Sequence, residues 1–137
     1  MEKEFFTQTN SEFNSLYYHK DSDIWTFEFA DKISINVTSL WRLLVGKQIK
    51  LVSLDNGHQF GLPKPVDLIY EMTEILTGKY LLGIKVKQFT GDLLLTLSDN
   101  LQIEIFITSS GYESYKFSIE NRNYIGLGSG NLAFYDN

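Results

Sequence analysis

The run LLLTLSDNLQIEIFI, residues 93–107, decides how the rest of the chain is read. Leu93, Leu95 and Leu97 alternate with Leu94 and Thr96, and Leu101, Ile103, Ile105 and Ile107 alternate with Gln102, Glu104 and Phe106. An extended chain points successive side chains to opposite faces, so this period marks two strands that each bury one face. Ser98-Asp99-Asn100 between them are turn residues, and the whole segment predicts a β-hairpin.

The same reading applies upstream, where Trp25, Phe27 and Phe29 alternate, Ile33, Ile35 and Val37 follow, and Ala30-Asp31-Lys32 separates the two runs. Laid side by side, FEFADKISINV (27–37) and LTLSDNLQIEI (95–105) match at every apolar position, with Asp31 over Asp99. Further on, QIKLVSLDNGHQF (48–60) resembles NYIGLGSGNLAFY (123–135), each reading as two β runs around a Gly or Asn turn. The sequence thus predicts an internal duplication of two successive hairpins, about 24–60 and 92–135.

Between the halves the pattern changes to a helical one over about 65–77. Pro65 suits a first turn, Asp67 favours the positive helix end, and Gly78 is placed to terminate. Leu68, Ile69, Met72, Ile75 and Leu76 share one face; Asp67, Glu71 and Glu74 share the other. Tyr80 to Lys87 reads as a strand. The first twenty residues carry two readings, a short helix capped at Thr9-Asn10-Ser11-Glu12 and running through Tyr18, or an added strand. The expected fold is α+β and mostly β, in one domain over 1–137. It is an antiparallel sheet, or a partly open barrel or sandwich, of two similar hairpin-pair halves with one main helix.

Composition bounds the chemistry. With 137 residues the chain can bury a core without cross-links, and it has no cysteine, so disulfides, thiolate metal sites and cysteine nucleophiles are excluded. The start, Met1-Glu2-Lys3-Glu4-Phe5-Phe6, is acidic where a signal peptide is basic, and no apolar run reaches membrane-spanning length. A cytoplasmic protein without membrane contact is expected. The net charge of −5 is uneven: residues 1–31 hold seven acids (Glu2, Glu4, Glu12, Asp21, Asp23, Glu28, Asp31) against Lys3 and Lys20, while acids and bases balance in the remainder. Such asymmetry argues against nucleic acid and fits an acidic face toward a basic partner.

No catalytic motif is present. His19 and His58 each stand in an expected turn, without further metal ligands at a recognised spacing. G-x-S-x-G is missing, and Gly126-Leu127-Gly128-Ser129-Gly130 reads as a hairpin turn because no helix follows to hold a phosphate. Lys79, Lys85 and Lys87 read as a solvated strand face. Paired carboxylates leave no spacing in a sequence, so they are judged only in the fold. No catalytic residue, metal or cofactor is expected. Two loops concentrate polar and aromatic groups suited to partner contacts, 55–63 with His58, and 109–115 with Tyr112 and Glu113.

Leu40-Trp41-Arg42-Leu43-Leu44 with Gly46, Asp55 to Pro65, Gly91-Asp92-Leu93, Ser109 to Tyr115 and Gly128-Ser129-Gly130 together resemble a family of small bacterial proteins. Its expected pattern is W-R-L-x-x-G, F-G-L-P, S-S-G-Y-E-S-W and a glycine-rich C-terminal turn. Here Tyr115 replaces the tryptophan and Ser129 interrupts the glycines. The resemblance covers about 25–135 and implies an immunity partner of a bacterial toxin, with no catalytic residue to carry over. The expected mode is occlusion of a basic toxin domain through Glu12, Tyr17, Tyr18, Asp21 and Asp23. The alternative is a small-ligand or peptide module whose pocket lies between helix and sheet, with His58, Tyr112 and Glu113 at its mouth.

Overall fold

The computed structural model describes residues 4–136. Glu2 and Lys3, counted above in the acidic first quarter, lie outside the described residues.

Among the described residues, eleven strands pair antiparallel in a single open sheet that does not close into a barrel. They are β1 (Phe5–His19), β2 (Ile24–Phe29), β3 (Ile33–Val37), β4 (Trp41–Val45), β5 (Gln48–Val52), β6 (Tyr80–Val86), β7 (Leu93–Leu97), β8 (Leu101–Ile105), β9 (Tyr115–Ile119), β10 (Arg122–Gly126) and β11 (Leu132–Asp136). The one α-helix among the described residues, α1, spans Leu68–Leu76. The order across the sheet is β11-β10-β9-β3-β2-β1-β6-β7-β8-β4-β5.

The long strand β1 is the fold line. Its first half pairs with β6 from Phe5–Val86 to Glu12–Tyr80, and its second half pairs with β2 from Phe13–Phe29 to His19–Ile24. The arms on either side face each other, so the Trp41 ring of β4 meets Trp25 and Phe27 of β2 edge-on at centroid distances of 5.1 and 5.3 Å. The alternating residues that defined the hairpins line the space between the arms: Phe27, Ile35, Val37, Leu95, Ile103 and Ile105 are fully buried.

Both hairpins read from the sequence form, with identical turns. Asp31 and Lys32 adopt φ of 63° and 61°, and Asp99 and Asn100 adopt 60° and 63°, the left-handed geometry that keeps the strand twist continuous. The strand order carries a further regularity. Exchanging each of β1–β5 with the strand five places later turns β10-β9-β3-β2-β1-β6-β7-β8-β4-β5 into its own reverse. Each half therefore sends its second hairpin across to the other arm: β4 pairs with β8, and β9 pairs with β3.

Three expectations are corrected. The helix begins at Leu68 rather than near 65, because Val66 is held in a loop ladder: Gly57 donates to its carbonyl at 2.8 Å, and its own amide donates to the His58 carbonyl at 2.8 Å. Asp67 then caps the helix, its carboxylate accepting from the Tyr70 amide at 3.2 Å. In 48–60 only β5 is a strand; a 3-10 turn at Ser53–Asp55 follows and 56–60 is loop, whereas 123–135 supplies both β10 and β11. Of the two readings of the first twenty residues the strand is the one formed, and His19 ends β1 instead of standing in a turn. Leu68, Met72 and Leu76 of α1 are fully buried, and the helix packs against β1.

Candidate functional site

The end of the molecule where β1 turns into β2 gathers most of the chemistry. Tyr18 precedes the turn and lies stacked on Trp25 at 4.3 Å, because cross-strand partners in an antiparallel pair bring their rings together. Asp23 adopts φ of 54° in the turn, which aims its carboxylate back at the Tyr18 hydroxyl; that hydroxyl donates to Oδ1 at 2.7 Å. The bond to Asp23 raises the Tyr18 phenol above its ordinary pKa and holds it as a donor.

These side chains form one wall of a cleft of about 500 Å³. The 3-10 turn after β5 forms the other, with Leu54 69% exposed at the rim and Asn56 beside it. The turn is fixed from both sides: buried Ser53 accepts from the Trp41 amide through its hydroxyl at 3.0 Å, and Asn56 accepts from the Leu68 amide at 3.0 Å. The cleft thus offers an aromatic pair, a carboxylate and an aliphatic rim, groups that suit the stem and head of a basic side chain.

A second cleft of about 360 Å³ shares Thr38 with the first and opens on the outer face of the β2–β3–β9 arm. There Tyr17, Thr26, Asn36 and Lys116 are successive cross-strand neighbours. The Thr26 hydroxyl donates to Asn36 Oδ1 at 2.7 Å, so His19 Nε2, 3.1 Å from that hydroxyl, is the donor to it. Glu113 and Lys116 line the same cleft with opposite charges.

Of the residues chosen from the sequence, Tyr18 and Asp23 meet directly and Asp21 is exposed in the same turn, whereas Tyr17 is exposed on the opposite face of the strand, beside Thr26. Glu12 lies apart, in the half of β1 that pairs with β6, where it accepts from Tyr80 Oη at 3.2 Å. The second set is not brought together. His58 stacks on Phe60 at 5.3 Å in the loop before α1, Tyr112 is 82% exposed beyond β8, and Glu113 belongs to the His19 cleft. The cleft between α1 and the β4–β5 hairpin is lined by Ile75, Val45, Gln48 and Ile49 among others, and by none of those three.

Sequence reasoning missed Trp25, Leu54 and Asn36 as site residues. Trp25 carried a core signal only; Leu54 stood out solely as an apolar residue in a polar run. Among the described residues no group of three or more histidines and carboxylates could hold a metal ion, and no helix is long and apolar enough to cross a membrane. No family model, curated protein or solved structure matches the chain.

Proposed function

We propose that this is a cytoplasmic immunity-type protein that neutralises a bacterial toxin by covering a basic face of it. The observation that supports this reading is the cleft in which Tyr18, Trp25 and Asp23 face Leu54. A lysine or arginine entering it would place its charge at Asp23, its stem on Leu54 and its cationic head near the rings. Asp21 in the adjoining turn adds negative charge on this end of the molecule, and long-range attraction to a basic surface would speed encounter. The chemistry needs no reacting group, only exclusion of the toxin's own substrate.

The test is a binding titration at low salt between the purified protein and the toxin encoded beside its gene. Asp23→Lys, which reverses the charge at an exposed turn without touching the core, should weaken the complex by about 10–100-fold, with salt sensitivity lost in the variant. Failure of the wild-type protein to form any complex at low salt sinks the proposal.

A second reading, a small-ligand or peptide module, draws on the His19 cleft, where Lys116 and Glu113 could grip opposite ends of a zwitterionic molecule. Lys116→Met would abolish ligand binding on that reading and leave toxin binding unchanged.

A further inference from the structure

The two edges of the sheet are not alike. The β5 edge carries Lys50 within the strand and Lys47 in the turn before it, and its ladder with β4 is interrupted by a bulge between Leu43 and Leu44. Charged side chains and bulges are the usual obstacles to strand-to-strand association. The β11 edge reads LAFYD, with neither lysine nor proline, and its ladder with β10 runs without interruption from Arg122–Asp136 to Gly126–Leu132.

An aromatic row leads out of the core to that edge. Phe117 is fully buried, Tyr124 stacks on it at 4.7 Å, and Phe134 follows Tyr124 at 6.3 Å while remaining 62% exposed. The row stops where the described sheet stops.

The hydrogen-bond parity of β11 is fixed by its neighbours. The Leu127 amide donates to the Asn131 carbonyl at 2.9 Å, in register with the β10–β11 ladder, so residues 131, 133 and 135 turn their backbone groups toward β10. The amides and carbonyls of Leu132, Phe134 and Asp136 therefore point away from the sheet. Phe134 is the middle residue of the strand. A two-fold axis beside it would pair Phe134 with its own copy and Leu132 with Asp136, and every outward group would meet a complementary one. No like charges meet in that register, because Asp136 would face Leu132 of the second copy and is already neutralised by Arg122 at 2.7 Å.

We infer that the β11 edge associates with a second copy of this chain, antiparallel and centred on Phe134, joining two sheets into one. The two Phe134 rings then lie side by side, extending the aromatic row across the axis. A pair of five-residue strands covers far less than the roughly 1,200 Å² of a stable interface, so the dimer is reversible, with Kd on the order of 0.1–1 mM. The toxin-facing cleft is built on other strands, so this inference stands independently of the proposed function.

Sedimentation equilibrium over a concentration series tests it. Wild-type protein should shift toward dimer as concentration approaches about 1 mM, and Phe134→Lys should stay monomeric with an unchanged circular dichroism spectrum. The chain has no cysteine, which allows a geometric test as well. Cα atoms of a hydrogen-bonded antiparallel pair lie about 5.5 Å apart, within disulfide reach, so Phe134→Cys should oxidise to a covalent dimer. Ala133→Cys should not, because its copy lies on the diagonal at roughly 7–8 Å. A wild-type protein that is monomeric throughout, a dimer that survives Phe134→Lys, or equal cross-linking at 133 and 134 would each overturn the inference.

Discussion

Single residues show how tightly the interior is determined. Trp41 is fully buried among Trp25 and Phe27, yet its indole Nε1 has no hydrogen-bond partner among the described residues. Trp41→Ala should cost about 3–5 kcal/mol in urea denaturation, but Trp41→Phe far less, because it also removes a buried donor whose desolvation costs about 1–3 kcal/mol. Equal losses for the two variants would contradict that account. Gly130 is constrained in a different way: it adopts φ of 78°, and a Cβ there would run into the Phe89 carbonyl. Gly57 has φ of 82° with open space around it. Alanine should therefore cost about 1 kcal/mol at position 57, from conformation alone, and about 2 kcal/mol or more at 130. Tyr115 donates to the Gly91 carbonyl at 2.8 Å, and burial pushes its phenol well above the ordinary tyrosine range. The folded state thus keeps a proton that the unfolded chain releases above pH of about 10. Its stabilising effect is intact below that pH and fades as pH climbs toward the folded value. Alkaline unfolding curves should be flatter in Tyr115→Phe than in wild type.

Elements differ in how openly the sequence announced them. The β2–β3 and β7–β8 hairpins were plain, since each keeps an apolar residue at every second position and an Asp in its turn, Asp31 and Asp99. β1 was left between helix and strand because its ladders shift register between Gln8 and Ser11 and again between Phe13 and Ser15. The inward residues Thr7, Thr9 and Ser11 are polar, and the second shift moves the inward positions from odd (Ser11, Phe13) to even (Leu16, Tyr18), so a fifteen-residue strand shows no sustained apolar period. The helix start was misjudged for a tertiary reason, the pairing of Val66 with residues 57 and 58. Its cap is local and testable: Asp67→Ala should cost about 1 kcal/mol by removing the bond to the Tyr70 amide, and Asp67→Asn should restore most of it. Of the candidate site, the turn segment with Tyr18 and Asp23 was legible from charge and aromatic content. Leu54 was not, nor was the placing of Asn56 from the 55–63 loop in this cleft, because the 3-10 turn that sets them opposite Tyr18 is held by Ser53 and Trp41, twelve residues apart.

At the scale of the molecule, the reversed strand order supports our proposal that the chain is a duplicated hairpin pair, with the halves interlocked. A stretch of first-half sequence such as 1–62 holds β4 without its partner β8 and β3 without β9. We expect the peptides 1–62 and 63–137 to be unfolded separately and to regain strand signal by circular dichroism when mixed; independent folding of either would refute the interlocked reading. The arrangement also has a bearing on biosynthesis. Trp41 must wait for Ile105, and Ser34 for Ser118, so a nascent chain leaving the ribosome displays the apolar edges of β3 and β4 before their partner strands exist. Until the last third is translated, that exposed surface is a natural client for a holdase chaperone.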